Sequence, residues 1–273
     1  MVGVAEGQFV DVQGLRTYYV RKGAGPAVLM LHGQSPGACV SVIWSANIDA
    51  IADAGYTVYA LDEVGFGRTA CAANCSIETR IGHARAFIDA MGLEHYSLWG
   101  HSDGSYISCA IALQDSRVDR LVLMASGSLS PSPPNEDKER ARAAAEQRES
   151  YTPSLENARA TLAHSLVNQA ALTDELVREF YEASTGQNHE AFLSRVRTPK
   201  RKIYDELHAL KVPTMLLWGA EDSGGPIRGV LLFEKIPGAE LHIFSHCGHW
   251  VQRDQTARVN SLVIDFLRGR DSA

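Results

Sequence analysis

Six short, nearly unbroken apolar runs recur along this chain and alternate with segments of helical character. The runs are residues 27–31, 57–61, 96–99, 121–124, 214–218 and 241–244. Runs of this length, each ended by Gly, Asp, Ser or His, are typical of strands buried on both faces of a parallel sheet. Helices are expected near residues 41–54, 77–91, 103–114 and 252–268. The alternation predicts an α/β fold with a mostly parallel central sheet flanked by helices.

One stretch without a predicted strand interrupts this alternation. Residues 131–208 begin with a proline-rich segment and continue as helical patterns, among them 136–149 and 172–181. An all-helical insertion between two strands of an α/β sheet is expected to cover the carboxyl ends of the strands, where ligands bind in such folds. We therefore predict a core formed by residues 1–130 and 209–273 and a helical cap formed by residues 131–208.

Charge and hydropathy argue against several classes of partner. The chain of 273 residues has a formal net charge of −6, which gives no electrostatic reason to expect nucleic acid. The densest basic run, residues 195–202, is interpreted either as a solvated surface or as a segment that steers an anionic substrate toward a cleft. No apolar stretch approaches the roughly 18 residues of a membrane span, so no membrane partner is expected.

The five cysteines, at positions 39, 71, 75, 109 and 247, have no regular spacing and predict no disulfide framework. Cys71 and Cys75 have no second pair of ligands near them in the sequence, so we expect neither a zinc site nor another metal. The first six residues do not match a signal peptide. Together these features favour the reducing cytoplasm.

The strongest functional signal is the motif Gly100-His-Ser102-Asp-Gly104, which directly follows a predicted strand and precedes a predicted helix. In a G-x-S-x-G motif the serine occupies a strained strand-to-helix turn, and side chains at the glycine positions would clash. The motif is informative here because of its position between a strand and a helix. A serine hydroxyl is a weak nucleophile at neutral pH and needs a base held by hydrogen bonding. We predict Ser102 as a nucleophile of this kind.

The base and its orienting acid are predicted from the residues that follow the last two strands. His249 follows the final strand and precedes the C-terminal helix. The weaker candidates for the base are His32, His101 and His246. Asp222 follows the preceding strand and is predicted to hold the imidazole in the correct tautomer, with its neighbour Glu221 as the alternative. The order Ser102, Asp222, His249 along the chain fits a serine hydrolase.

The loop at residues 31–37, after the third strand, is expected to form the oxyanion hole. The backbone N–H of Gln34 would act there together with the N–H of Asp103, the residue after the nucleophile. The alternative interpretation of this segment is a simple Gly/Pro turn.

Two further glycine-containing segments are interpreted as turns. Gln13-Gly14 separates two strand-like segments and predicts a hairpin. Gly65-Phe-Gly67-Arg-Thr-Ala70 formally fits a dinucleotide-binding pattern, but it does not open a β-α-β unit and no helix is predicted after it. No cofactor is expected.

Four stretches of the chain resemble the meta-cleavage product hydrolases, which are α/β-hydrolases that cut carbon–carbon bonds in aromatic ring-fission products. The stretches are residues 31–38, 61–67, 120–124 and 241–250. The last is the most specific because Trp250 stands beside His249, and in the family this tryptophan lines the substrate pocket. The resemblance implies the α/β-hydrolase fold with a helical cap, the same triad, no cofactor, and assembly into dimers or larger homo-oligomers.

The chain departs from the family pattern at three places. His101 and Asp103 stand where the family has Asn and an apolar residue, and Gln34 replaces a Ser or Gly. Phe180 stands about where family members have a cap arginine that binds the substrate carboxylate. Arg178 is two residues away and is expected on a different helix face. The loss of a cation and the gain of a carboxylate both disfavour an anionic head group. Alternatively, the Asp103 carboxylate stabilises its own helix dipole.

These departures favour a serine hydrolase that cleaves a small ester or lactone through an acyl-serine intermediate. The predicted pocket residues are Gly33, His101, Phe180 and Trp250, although an aromatic residue at helical spacing, such as Phe180, is also typical of core packing. The alternative function is carbon–carbon hydrolysis of a 2-hydroxy-6-oxo-dienoate, as in the family. A third hypothesis is a non-catalytic ligand receptor on the hydrolase fold, against which the intact triad argues.

Overall fold

One central sheet contains all eight strands found among the residues that the structure describes. The computed structural model describes residues 7–71, 75–131, 142, 146, 150–194 and 200–269. The strands are β1 (Gln8–Val12), β2 (Leu15–Lys22), β3 (Ala27–Leu31), β4 (Thr57–Leu61), β5 (Tyr96–His101), β6 (Val118–Met124), β7 (Thr214–Gly219) and β8 (Glu240–Phe244). Their order is β1-β2-β4-β3-β5-β6-β7-β8. Pairing is antiparallel between β1 and β2 and between β2 and β4, and parallel in every other pair, which confirms the predicted sheet.

Both faces of the sheet are buried, which explains why its strands are unbroken apolar runs. Along β3, Val28 and Met30 belong to one hydrophobic cluster, while Leu29 and Leu31 belong to a second cluster on the other face. All four side chains are fully buried. Successive side chains of a strand point to opposite faces, so a strand covered by helices on both sides needs apolar residues at every position.

Ten α-helices have described bounds; they either flank the sheet or lie in the inserted segment. They are α1 (Val40–Trp44), α2 (Ile48–Asp53), α3 (Ile77–Ala90), α4 (Asp103–Ala112), α5 (Leu155–Ser165), α6 (Asp174–Ala183), α7 (Gln187–Ser194), α8 (Ile227–Lys235), α9 (Val251–Asp254) and α10 (Thr256–Leu267). No helix in the described part of the chain is long and apolar enough to span a bilayer.

Two predicted helices are each divided in two. The helix expected at 41–54 breaks between α1 and α2, where Arg253 donates hydrogen bonds to the Val42 carbonyl and the buried Asn47 amide donates to Asn260 Oδ1 at 2.7 Å. The helix expected at 252–268 breaks at Gln255, whose backbone is not helical (φ −126°, ψ 39°). The polar contacts at the first break join distant parts of the chain, so local periodicity does not indicate that break.

Both predicted turns are present. Gln13 and Gly14 have positive φ angles of 53° and 82° and join the antiparallel strands β1 and β2. Gly65 and Gly67 also have positive φ, and a Cβ at Gly67 would lie 2.1 Å from Asp62 Oδ2. The second segment is therefore a tight turn around the Asp62 carboxylate and not the start of a helix.

The described part of the predicted cap lies against the core. Helix α5 packs on α6, and α6 contacts α1. Asp254 of α9 accepts hydrogen bonds from the backbone N–H groups of Val167, Asn168 and Gly248, which ties the segment after α5 to the loop that contains His249. Most of the helix predicted at 136–149 lies outside the described residues. The domain boundaries at 131–208 stay a prediction.

Candidate active site

Ser102 lies in the turn between β5 and α4, and its backbone has the strained geometry of a nucleophile elbow. Its φ is 54° and its ψ is −118°, a conformation that a non-glycine residue rarely adopts. A Cβ at Gly100 would lie 2.5 Å from the Gly104 carbonyl carbon, and a Cβ at Gly104 would lie 2.1 Å from the Leu31 carbonyl oxygen. The two glycines of the motif are therefore required because backbone segments pass too close for a side chain.

In the structure the Asp222 carboxylate contacts the His249 ring, whereas the Glu221 carboxylate lies near His246. Both carboxylate oxygens of Asp222 lie 3.2 Å from His249 Nδ1. Burial by itself raises the pKa of the Asp222 carboxyl, but the hydrogen bond and charge of His249 and the N–H of Gly224 outweigh it, so the pKa lies below its usual value. Glu221 is half-exposed, and its Oε1 lies 3.8 Å from His246 Nδ1. Asp222 can thus hold the His249 ring with Nε2 free to accept a proton.

His101 connects the nucleophile turn to the histidine loop. Its Nε2–H donates to the His249 carbonyl oxygen at 3.0 Å, and the centroids of the two rings are 4.9 Å apart. Burial, together with the nearby charge of His249, lowers the pKa of His101 to about 3. His101, which directly precedes Ser102, is therefore a neutral residue that donates a hydrogen bond to the backbone of the predicted base.

The loop after β3 passes directly over Ser102, the predicted nucleophile. A Cβ at Gly33 would lie 3.0 Å from Ser102 Cβ and 3.5 Å from Ser102 Oγ. Asp103 is the first residue of α4, and the first N–H groups of a helix have no partner within the helix. The N–H groups of Gln34 and Asp103 thus belong to the two segments that border the serine. Their role as oxyanion donors stays a prediction.

Comparisons with known proteins identify the family of the chain. A family model described as alpha/beta hydrolase fold matches residues 26–255. The chain belongs to this family. It is 32% identical to a 2-hydroxy-6-oxononadienedioate/2-hydroxy-6-oxononatrienedioate hydrolase of Burkholderia vietnamiensis, over 94% of this chain and 93% of the relative. It is also 32% identical to the 2-hydroxymuconate semialdehyde hydrolase of Pseudomonas sp. CF600, over 98% and 95% of the two chains.

A solved structure supports the same relationship. The meta-cleavage product hydrolase CumD of Pseudomonas fluorescens IP01 superimposes with a TM-score of 0.84 at 32% identity, over 97% of this chain and 98% of CumD. The α/β-hydrolase fold expected from the sequence is confirmed, and the chain is a hydrolase that resembles the meta-cleavage product hydrolases.

The Asp103 carboxylate of this α/β-hydrolase is buried and paired. The Lys200 ammonium group makes an ion pair with Asp103 Oδ1, and the Arg80 guanidinium lies 3.6 Å from Asp103 Oδ2. The departures from the family pattern predict an uncompensated negative charge beside the oxyanion donors, and this prediction is wrong. Two cations face it, so the charge of Asp103 gives no reason to disfavour an anionic substrate.

Phe180 and Trp250 lie together in the buried cluster where α6 meets the core. Phe180 is completely buried, and the centroid of its ring is 6.4 Å from that of Trp250. A Cβ at Gly37 would lie 2.3 Å from the Phe180 carbonyl oxygen, so the loop after β3 packs directly on α6. Arg178 is exposed on another face of the helix, and Arg195 and Arg197, two cations of the basic run, lie outside the described residues. The role of Phe180 and Trp250 as pocket walls stays a prediction.

Two charged residues near the site were not predicted from the sequence as site residues. Arg80 is 1% exposed and lies on the inward face of α3 together with Ile77, Ala84 and Phe87. In the sequence, Arg80 occupies a position of α3 where the helical pattern predicts a buried apolar residue. Because buried arginines are nearly always paired with an acidic group, this pattern could have indicated that Arg80 pairs with a carboxylate. Lys200 belongs to the basic run at 195–202, and the sequence did not indicate that it pairs with Asp103.

Proposed function

We propose that this hydrolase cleaves the carbon–carbon bond of a 2-hydroxy-6-oxo-dienoate, with Ser102 as nucleophile, His249 as base and Asp222 as the residue that orients the base. Relatives at 32% identity that match nearly the whole chain are named for substrates of this kind. The observation that supports the proposal within the site is the pairing of Asp103 with Lys200 and Arg80. It removes the electrostatic argument against a carboxylate substrate.

The chemistry is hydrolytic and needs no oxidant or cofactor. The Ser102 oxygen attacks the C6 carbonyl carbon while His249 accepts the hydroxyl proton. The substrate reacts as its keto tautomer, in which C5 has taken up a proton and the C2 hydroxyl group has given one up. The bond between C5 and C6 then breaks, its electron pair is delocalised onto the C2 oxygen, and this oxygen accepts the proton held by His249, so that a 2-hydroxydienoic acid leaves. Water attacks the acyl group on Ser102 while His249 accepts a proton from this water, and His249 returns the proton to the Ser102 oxygen as the carboxylic acid leaves. The N–H groups of Gln34 and Asp103 stabilise the charge that develops on the C6 oxygen.

Hydrolysis of an uncharged ester is the second candidate, and one observation favours it. Phe180 fills the position where the resemblance implies a substrate-binding arginine, and Arg178 is exposed to solvent. A lost hydrogen bond between an arginine and a buried carboxylate typically reduces binding by about 1.5–3 kcal/mol. The acyl-serine chemistry is the same for an ester, so the two candidates differ in the group that leaves and in its charge.

The kcat/KM values for a 2-hydroxy-6-oxo-dienoate and for a short-chain aryl ester, measured under identical conditions, distinguish the candidates. We expect the dienoate value to exceed the ester value by about tenfold or more. Equal values or a preference for the ester would refute the carbon–carbon proposal. Ser102→Ala serves as the control for both substrates. If ligands bind but neither substrate is turned over, the receptor hypothesis replaces both.

A further inference from the structure

The peptide between Gly33 and Gln34 is held from behind by two side chains. Its carbonyl oxygen, on Gly33, lies 2.7 Å from His32 Nδ1 and 3.3 Å from Arg80 Nη2. Its N–H, on Gln34, is the predicted oxyanion donor. In a trans peptide the N–H and the C=O point in opposite directions, so groups that fix the carbonyl also fix the direction of the N–H.

The hydrogen bonds around His32 determine its tautomer. The Glu63 backbone N–H donates to His32 Nε2 at 3.2 Å, so Nε2 is an acceptor and carries no proton. The proton must then be on Nδ1, which donates it to the Gly33 carbonyl oxygen. His32 is fully buried, so water does not compete for this bond.

Arg80 joins this peptide to the second predicted donor. Its Nε donates to Glu63 Oε2 at 2.7 Å, and its Nη2 also donates to the His32 carbonyl oxygen at 3.2 Å. Its Nη1 lies 3.6 Å from Asp103 Oδ2. A single planar group, buried and oriented by Glu63, therefore contacts the backbone of the loop after β3 and the side-chain carboxylate of the first residue of α4.

We propose that Arg80 is a positioning residue for the oxyanion hole, which rests on the function proposed above. Its guanidinium holds the Gly33–Gln34 peptide at a fixed distance from the start of α4. Donation of hydrogen bonds to the Gly33 carbonyl also polarises the peptide and makes the Gln34 N–H a stronger donor. Donors that are already oriented need no reorganisation when charge develops on the substrate oxygen. Glu63 supports this arrangement by fixing the plane of the guanidinium.

The test compares Arg80→Lys and the double variant Glu63→Gln/Arg80→Met with wild type. Lysine keeps the charge but cannot contact all these groups at once, and the double variant avoids leaving a buried carboxylate unpaired. Arg85→Met on the same helix is the matched control, because Arg85 bonds only to Gln114 and the Ala110 carbonyl among the contacts found for it. Labelling of Ser102 with a fluorophosphonate gives the concentration of folded, competent enzyme.

Two readouts separate positioning from a merely structural role. We expect kcat per labelled site to fall about 10- to 100-fold in both Arg80 variants, with KM changed by less than about threefold, since loss of a whole oxyanion donor costs roughly 10²–10³ in kcat. An arylboronic acid, which forms a tetrahedral anion on the serine, should lose affinity in proportion to kcat. A neutral competitive inhibitor should not.

Either of two results would overturn the proposal. One is a kcat per labelled site within about twofold of wild type in Arg80→Lys and in the double variant. The other is a fall in kcat with no loss of boronate affinity. The measurements use whichever of the dienoate and the ester is the better substrate, so failure of the carbon–carbon proposal leaves this test intact. Activity retained in Ser102→Ala would instead refute the proposed nucleophile.

Discussion

Replacement of Asp222 by Asn should reduce kcat/KM by roughly 10²- to 10⁴-fold. Both Asp222 oxygens lie 3.2 Å from His249 Nδ1, and the Asp222 side chain is 2% exposed, so water cannot take over the lost interaction. A hydrogen bond to a charged group contributes about 1.5–3 kcal/mol, and about 1.4 kcal/mol corresponds to tenfold in rate. The amide group would also favour the wrong tautomer of His249, which adds to the loss.

Glu221→Gln is the matched control for this prediction. The Glu221 side chain is half-exposed and lies near His246, away from His249 Nδ1, so kcat/KM should stay within about twofold of wild type. Steady-state kinetics with either substrate, normalised to fluorophosphonate-labelled enzyme, provides the comparison. An Asn variant within about threefold of wild type, or an equal loss in the Gln variant, would show that Asp222 does not orient the base.

Two further predictions concern stability. Gly37→Ala should reduce the free energy of unfolding by about 1–3 kcal/mol, because its Cβ would lie 2.3 Å from the Phe180 carbonyl oxygen; Gly82→Ala, with open space around its Cβ, should raise it by about 0.5–1 kcal/mol in the same urea titration. Burial lowers the pKa of His83 to about 4, so the unfolded chain binds the proton more readily below pH 6.5 and stability falls with pH from there to about 4. His83→Gln should reduce the loss between pH 7 and 4 by about 2–3 kcal/mol; an unchanged loss would contradict this.

The elements that could be predicted from the sequence are those determined by local chemistry. The strands β3 and β4 were recognisable because a strand buried on both faces needs apolar residues throughout. The elbow at Ser102 was recognisable because backbone crowding requires Gly100 and Gly104. Such signals lie within a few residues of the feature that they specify.

The features that were missed depend on contacts between distant parts of the chain. The break between α1 and α2 depends on Arg253, some two hundred positions along the chain from Val42. The pairing of Asp103 with Lys200 likewise joins residues that are far apart in sequence. Charge alone does not indicate whether the Asp103 carboxylate faces the pocket or pairs with cations, and for this reason the sequence favours an uncharged substrate.

A single-turnover experiment with a 2-hydroxy-6-oxo-dienoate tests directly whether Ser102 initiates cleavage of a carbon–carbon bond. Enzyme in excess over substrate should form the dienoic acid and the second carboxylic acid in equal amounts. Ser102→Ala, folded to the same extent by circular dichroism, should be slower by roughly 10⁴-fold or more. A variant within about tenfold of wild type, or a wild-type enzyme that leaves the dienoate intact while it hydrolyses esters, would contradict the proposed function.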